Sequence, residues 1–177
     1  MSHAGLPGPA PTPVVYDVNV LVMAVADGDS PFRSWPSPPP VSTNRSADCL
    51  GIVNDAAEFA LWVSPHILSN TGRVLAEVIG MPADEIDEYI DILTEIADAS
   101  GGGLIDPPQS VSDCPDWEDN RILDLAEAIG AFLIVSNDTD LIAMSPWRGR
   151  PIISPDRFAA LVDASRRASR RRRSGRN

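Results

Sequence analysis

Three groups of acidic and amide side chains along this chain could act together at a metal site. Asp17 is followed by Asn19, residues 116–120 read DWEDN, and residues 137–140 read NDTD. Carboxylate and amide oxygens suit hard divalent cations, and acids without histidine or cysteine favour Mg²⁺ or Mn²⁺ over zinc. A cation held by such carboxylates can activate a water molecule and stabilise the leaving oxygen of a phosphodiester. The residue types therefore predict metal-dependent phosphodiester hydrolysis, provided that the three groups meet in the folded chain.

Other hydrolytic chemistries have less support in the sequence. His3 and His66 are the only histidines, and no G-x-S-x-G turn surrounds either of them. Cys49 and Cys114 lack the close spacing of a zinc site and are expected to be buried, reduced thiols. A phosphatase on a doubly wound fold would carry a D-x-D arrangement after its first strand, where this chain reads D-V-N.

Each acidic group also has an ordinary structural explanation. Asp17 could cap the helix that follows the first strand. Asp116 and Asp119 lie before or in a first helical turn, where acids favour the helix dipole. Asp138 and Asp140 are common turn residues. The metal-site hypothesis depends on all three groups lying at the ends of predicted elements.

Predicted strands and helices alternate along the chain. Strands are predicted at residues 14–15, 60–63, 104–105, 131–136 and 151–154, and AFLIVS (131–136) has the continuous apolar run of a buried parallel strand. Helices are predicted from near Val20 and at residues 47–59, 64–79, 82–100, 119–129 and 155–164, with Ser64 as a cap. Such alternation predicts an α/β fold with a mainly parallel sheet. Because the carboxyl ends of parallel strands share one edge, Asp17 and Asp138 are expected to meet there, beside Asp119.

One domain is predicted over residues 13–164, with a tail on either side. Residues 1–12 are rich in Pro, Gly and Ala and are expected to be disordered, and residues 27–46 form a Pro/Ser-rich insertion. The net charge is -11, from 25 acidic and 14 basic residues, and every basic residue is arginine. Seven arginines lie in residues 165–177, which contain no acid and are expected to be disordered. The rest of the chain has 7 basic against 25 acidic residues, a net charge of -18.

The distribution of charge and apolar residues also bears on location and partners. An acidic body is a poor general surface for nucleic acid, whereas the arginine tail could either bind nucleic acid or stay solvated. The chain has no apolar run long enough to span a membrane. Its first residues lack the basic and apolar regions of a signal peptide, so a cytoplasmic location is expected.

The chain resembles the PIN-domain nucleases, and among them the VapC-type toxins of bacterial toxin–antitoxin pairs. The segments that carry the resemblance are VVYDVNVLVMAV from Val14, SPHIL from Ser64, CPDWEDNRILDLAEAIGAFLIVSNDTDLI from Cys114, and PIISPDRF from Pro151. The first is similar to the usual PIN opening, an aspartate that ends strand one. The third is similar to the usual PIN ending, with D-x-x-D-N before a helix and Ser-Asn-Asp-x-Asp after a strand. The resemblance implies a PIN-like three-layer α/β/α sandwich with a mainly parallel central sheet.

The resemblance also implies roles for individual residues. Asp17, Asp119 and Asp138 would be the catalytic carboxylates that bind Mg²⁺ or Mn²⁺, Asp116 and Asp140 would be auxiliary catalytic acids, and Asn19 and Ser136 would be supporting hydrogen-bonding residues. The implied protein is a cytoplasmic ribonuclease toxin with an RNA substrate, a small antitoxin partner and a homodimeric state. Positive charge for RNA is expected from the tail and from scattered arginines, namely Arg73, Arg121, Arg148 and Arg150.

The chain departs from the family pattern at one corner of the implied site. The family usually has a glutamate early in the helix after the second strand, where this chain has Ser69 and Asn70. Glu77 follows two turns later, roughly 10 Å along a helix, and Asn70 is the candidate supporting residue. The departure either lowers the ligand charge of an active site or marks an inactive domain. The alternative to a ribonuclease is therefore a catalytically impaired PIN-like module that binds RNA or protein.

Overall fold

The structure, a computed structural model, describes residues 9–26, 44–55 and 58–175. The strands in this part of the chain are β1 (Thr12–Tyr16), β2 (Phe59–Val63), β3 (Gly103–Leu104), β4 (Leu133–Val135) and β5 (Ile152–Ile153). The helices are α1 (Val18–Ala26), α2 (Arg45–Asp55), α3 (Pro65–Val74), α4 (Ala83–Ala99), α5 (Trp117–Ala128), α6 (Thr139–Ala143) and α7 (Pro155–Ser174). A π-helical turn, Leu75–Ile79, continues α3.

The five strands form one parallel sheet in the order β3-β2-β1-β4-β5. β1 lies in the centre, where Val14 pairs with Leu61 of β2 on one side and with Leu133 of β4 on the other. Its residues Val14, Val15 and Tyr16 are fully buried, as expected for a parallel strand that helices cover on both faces. The predicted α/β fold is confirmed: the molecule is a three-layer α/β/α sandwich with a parallel central sheet.

Short polar side chains fix where several helices begin. Ser64 accepts a hydrogen bond from the backbone N–H of Ile67 at the start of α3, so the predicted cap is confirmed. Ser154 caps α7 in the same way, through the N–H of Arg157. Since both serines directly follow strands, these caps place the first turns of α3 and α7 at the carboxyl edge of the sheet.

Several predicted boundaries differ from the structure. Thr12, predicted to be disordered, begins β1, while residues 1–8 and residues 27–43 of the predicted insertion lie outside the described residues. The first two residues of α2 come from the end of that insertion. α6 was not predicted, because a helix of five residues is too short to show an apolar period.

The largest difference concerns the arginine-rich segment after residue 164, which was predicted to be disordered. α7 instead continues through it to Ser174. After Pro155 the helix contains neither glycine nor proline, and alanine and arginine are among the better helix formers. No helix within the described ranges is long and apolar enough to cross a membrane.

Candidate active site

The centre of the sheet creates a crevice at the carboxyl edge. From β1 the chain continues to β2 on one side, whereas β4 lies on the other side. In open α/β sheets, ligands bind where the direction of the connections reverses in this way. Tyr16 of β1 pairs with Val135 of β4, so the residues that follow them, Asp17 and Ser136, lie side by side.

Asp17 is a buried carboxylate with a fixed orientation. Its Oδ2 accepts hydrogen bonds from Ser136 Oγ at 2.6 Å and from Asn19 Nδ2 at 2.9 Å. The residue is only 5% exposed, and burial raises its pKa, an effect that the Ser136 hydrogen bond opposes and the charge of Asp138 reinforces. Asn19 also accepts a hydrogen bond from the backbone N–H of Asn137 at 3.0 Å. The two strand ends are thereby joined around the carboxyl group of Asp17.

Asp138 follows β4 and caps α6. The Oγ of Ser136 accepts a hydrogen bond from the Asp138 N–H at 2.8 Å, so one hydroxyl connects Asp138 to Asp17. Oδ1 of Asp138 accepts the N–H groups of Asp140 at 2.7 Å and Leu141 at 3.2 Å. Oδ2 has no hydrogen bond to the described part of the chain. Asp138 can therefore be both a turn residue and a metal ligand, because the helix cap uses Oδ1 and leaves Oδ2 available to a ligand.

Asp119 reaches the same crevice from the first turn of α5. Its Oδ2 accepts a hydrogen bond from Cys114 Sγ at 3.4 Å. Burial raises the pKa of Asp119 from 3.8 to about 6, and the negative charges of Asp138, Asp17 and Asp116 add to the rise while the Cys114 hydrogen bond opposes it. Since electrostatic repulsion of this kind requires proximity, the structure brings together the three carboxylates that the sequence singled out.

The two auxiliary acids lie in different positions. Asp116 caps α5, accepting the N–H of Glu118 at 2.8 Å, and its charge helps to raise the pKa of Asp119. Asp140 is exposed in the first turn of α6. The structure thus places Asp116 beside the central carboxylates and Asp140 at the periphery.

The corner where the family pattern expects a glutamate contains an amide network. Asn70 is buried in α3, with Nδ2 3.0 Å from His66 Nε2, and its Oδ1 accepts a hydrogen bond from Arg73 Nε at 3.3 Å. Arg73 Nη2 also donates to Glu118 of α5 at 3.2 Å. Glu77 is exposed and pairs with Arg73 at 3.5 Å. The amide is therefore held between a histidine and an arginine, on the side of α3 that approaches the first turn of α5.

Two contacts at the site had no clear signal in the sequence. Cys114 was expected to be a simple buried thiol, but it contacts Asp119 across the turn that precedes α5. The ring of His66 packs edge to face against Trp117, with 5.3 Å between the ring centroids. The first contact is local to the turn before α5, whereas the second joins residues that are close only after α3 and α5 have packed together.

The cluster fits a divalent cation in its charge and donor chemistry. Three partly or fully buried carboxylates lie close together, and within the described ranges no arginine forms an ion pair with any of them. Burying negative charges without compensation is unfavourable. Among the described residues, no three His, Cys, Asp or Glu side chains are arranged closely enough to form a metal site by themselves. Mg²⁺ does not require such a set, because it keeps several waters and takes only one or two carboxylates directly.

A cleft of about 600 Å³ opens beside these carboxylates. Asn19, Asn137 and Asp138 line the part nearest the cluster, and Arg45 of α2 and Asp156 of α7 line the part further away. Arg45 forms an ion pair with Asp156 at 3.4 Å across this cleft. Asp138 is thus the member of the acidic cluster that lines this groove, which also contains amide and guanidinium groups.

The scattered arginines do not form the positive surface that was expected of them. Arg121 is buried and pairs with Asp124 at 2.8 Å, so it cannot contact RNA. Arg148 and Arg150 each pair with Glu127. Since the arginine of α3 is also paired, the charges of all four are largely neutralised by carboxylates of the protein itself.

No family model matches this chain, and no curated protein matches it. The class of protein is therefore defined by its architecture and site: a three-layer α/β/α fold with a cluster of carboxylates at the switch point of a parallel sheet. Crevices at such switch points bind ligands, and the charge of a hard cation would match carboxylates that have no arginine partner within the described ranges.

Proposed function

We propose that this protein is a divalent-cation-dependent endoribonuclease, a hydrolase that cuts RNA phosphodiester bonds at the cluster of Asp17, Asp119 and Asp138. The observation that carries the proposal is the convergence of these carboxylates. They come from the ends of two strands and the start of a helix that are far apart in sequence. The charge of Asp138 contributes to the raised pKa of Asp17, and the charges of Asp138 and Asp17 contribute to the raised pKa of Asp119. Repulsion of this kind is unfavourable for folding, and its retention at a ligand-binding crevice supports a functional role.

Each carboxylate is suited to a different role in the proposed reaction. Asp17 is held by Ser136 and Asn19, so it provides a fixed oxygen at the base of the crevice. Asp138 uses only Oδ1 in its cap bonds, and Asp119 is only partly buried at the start of α5. Mg²⁺ or Mn²⁺ bound there would supply the positive charge that stabilises a phosphorane-like transition state and lowers the pKa of a bound water.

The groove beside the cluster suits a phosphate backbone. The amide groups of Asn19 and Asn137 line it, and amides are donor types that contact phosphate oxygens. Arg45 also lines it, with its guanidinium paired with Asp48 and Asp156. The preference for RNA follows from the resemblance to PIN-domain nucleases. The same resemblance supports a toxin neutralised by a small antitoxin, a homodimer and a cytoplasmic location. A short neighbouring reading frame that encodes a DNA-binding antitoxin would support the toxin assignment.

The proposal is tested by cleavage of a fluorescently labelled RNA by the purified full chain in the presence of Mg²⁺. We expect Asp17→Asn, Asp119→Asn and Asp138→Asn each to lower the rate by at least about 100-fold, because each removes charge stabilisation from the reacting phosphate. Asp91→Asn, on an exposed position of α4, removes a carboxylate outside the cluster and should leave the rate unchanged. Cleavage that survives in all three cluster variants would refute the site.

The second candidate is a PIN-like module that binds RNA or protein without cleaving RNA. The observation that favours it is the amide of Asn70, held between His66 and Arg73, at the position of the family glutamate. Titration with Mg²⁺ by calorimetry separates the two candidates. Binding that is lost in Asp119→Asn supports the nuclease, whereas RNA binding without measurable Mg²⁺ binding supports the module.

A further inference from the structure

The arginines of the folded body and those of the C-terminal helix differ in their partners. In the body, most arginines form ion pairs: Arg45 with Asp48, Arg73 with Glu118, Arg121 with Asp124, Arg148 with Asp113, and Arg150 with Glu127. Arg157, near the start of α7, has no ion-pair partner among the described residues. These pairs leave the surface of the body with little free positive charge, although its acidic excess remains.

The second half of α7 presents the opposite situation. We name residues 166–173 the arginine segment; it contains Arg166, Arg167, Arg170, Arg171, Arg172 and Arg173. Arg166 pairs with Glu58 at 2.8 Å. The other five are exposed and have no ion-pair partner within the described ranges. No acidic residue follows Asp163, so the segment is a concentrated positive charge on an acidic protein.

The arginine segment lies at the opposite edge of the sheet from the carboxylate cluster. α7 begins beside the cleft, where Pro155 and Asp156 line it. The pair between Arg166 and Glu58 fixes the far part of the helix near the residue that precedes β2, at the amino edge. At 1.5 Å per residue, Arg173 lies about 27 Å along the helix from Pro155. A ligand that contacts both places must therefore be long.

The composition of the segment indicates what kind of ligand it fits. Successive residues of a helix are about 100° apart, so five of its six arginines fall within an arc of about 160°, and Arg172 projects outside this arc. No large apolar side chain occurs in α7 beyond Val162, whereas the core of a protein–protein interface is rich in aromatic and aliphatic groups. Phosphate groups need only charge and donors, which guanidinium supplies in a geometry that matches two phosphate oxygens.

We propose that the arginine segment binds the phosphate backbone of the RNA at a distance from the site of cleavage. The choice of RNA rests on the proposed function. At the roughly 3.4 Å per nucleotide of a stacked strand, 27 Å corresponds to about eight nucleotides. The segment supplies the affinity that the acidic body lacks, and it selects substrates long enough to extend from the cleft to the amino edge of the sheet.

The binding test uses the full chain in EDTA, so that its outcome does not depend on cleavage. The Kd for a labelled 24-nucleotide RNA is measured by fluorescence anisotropy between 50 and 200 mM salt, for the wild type and for a variant with Arg170, Arg171, Arg172 and Arg173 replaced by glutamine. Four lost phosphate contacts on a single strand should make the slope of log K against log salt less negative by about 2.8. The loss of affinity between 50 and 200 mM salt should therefore be about 50-fold smaller in the variant than in the wild type. Glutamine preserves helix propensity, which circular dichroism verifies. An unchanged slope would overturn the proposal.

A matched pair of double variants tests whether position or net charge matters. Arg170→Gln with Arg173→Gln removes two charges from the segment, and Arg148→Gln with Arg157→Gln removes two from elsewhere. We expect a clear loss of RNA binding only in the first. Equal losses of RNA binding in the two double variants would overturn the assignment to the segment. Polyglutamate that displaces the labelled RNA as well as unlabelled RNA does, at the same concentration of charge, would also overturn it and would indicate an acidic protein partner.

Cleavage kinetics separate this proposal from the proposed function. In the quadruple variant we expect a higher KM for the 24-nucleotide RNA and an unchanged kcat. We expect no change for a 6-nucleotide RNA, because at about 20 Å it is too short to extend from Pro155 to the four replaced arginines. If neither protein cleaves RNA but the variant binds it less tightly, the ribonuclease function fails and the RNA-binding segment stands. If cleavage and binding are both normal in the variant, the segment fails and the ribonuclease stands.

Discussion

The substitution Asp119→Asn is expected to abolish cleavage and at the same time to stabilise the metal-free protein at neutral pH. Burial and the negative charges of Asp138 and Asp17 raise the pKa of Asp119 to about 6, so ionisation of this carboxyl group opposes folding. Asparagine keeps the size of the side chain and can still accept the hydrogen bond from Cys114. The variant therefore removes the repulsion and preserves most of the packing.

The size of the effect follows from the change in proton affinity of Asp119. A rise in pKa from 3.8 to about 6 corresponds to about 3 kcal/mol, at 1.36 kcal/mol for each tenfold change in proton affinity. Because Asp119 is only partly buried, screening by solvent reduces the expected gain to about 1–2 kcal/mol, or about 3–6 °C in Tm. The folded state holds the proton more tightly than the unfolded state. The cost is therefore absent below about pH 4, grows as the pH rises towards 6, and is complete above it.

Thermal unfolding in EDTA at about pH 4 and about pH 7.5 measures this effect, with Asp91→Asn as the control for loss of a carboxylate. We expect Asp119→Asn to exceed the wild type in Tm at the higher pH only. Mg²⁺ at ten times its Kd should then add about 1.4 kcal/mol to the stability of the wild type and much less to the variant. A variant that is less stable than the wild type at pH 7.5, or a gain that persists at pH 4, would refute the reasoning.

Three further substitutions address the support of the site and the fold. Ser136→Ala removes the hydroxyl that donates to Asp17 Oδ2 at 2.6 Å and should lower the unfolding free energy in urea by about 2–3 kcal/mol, because a buried carboxylate loses a hydrogen bond. Asn70→Glu adds a carboxylate where the resemblance to PIN-domain nucleases predicts a glutamate, and it should tighten Mg²⁺ binding several-fold in calorimetry, because it raises the ligand charge. Gly102→Ala would place a Cβ 1.8 Å from the backbone oxygen of Leu61 and should cost at least about 3 kcal/mol of stability in urea denaturation.

The controls for these substitutions come from the same chain. Ser69→Ala, at an exposed position of α3, should leave the urea midpoint nearly unchanged; a loss as large as that of Ser136→Ala would contradict the special role of the hydroxyl. Gly80 has a φ of 74° and open space around the added Cβ, so Gly80→Ala should cost only about 1 kcal/mol. If Gly102→Ala lowers the stability no more than Gly80→Ala does, Gly102 does not pack against the backbone of β2. Mg²⁺ affinity unchanged by Asn70→Glu would show that α3 does not contribute to the site.

The sequence by itself determined the class of fold, and it predicted which acids would meet at one edge of the sheet. The continuous apolar run of residues 131–136 predicted the buried strand β4, and Ser64 predicted the start of α3, because both signals depend only on neighbouring residues. Asp17 and Asp138 were recognised because parallel strands end at one edge of a sheet. Patterns of neighbouring residues did not predict α6, because five residues are too few to show a helical period. At the end of α7, the arginine-rich composition led to a prediction of disorder where the structure has a helix.

Only the tertiary structure decided how the acids and the arginines are partnered. The order of the strands places β1 beside β4, and the packing of α5 then buries Asp119 near Asp17 and Asp138. This burial, together with the charges of the two acids, raises the pKa of Asp119 to about 6. The same packing explains why Arg121 is buried, whereas most of the arginine segment at the end of α7 has no ion-pair partner within the described ranges. The physical reason is that electrostatic interactions depend on distances and burial between segments remote in sequence, and these are set only when the helices and the sheet have packed together.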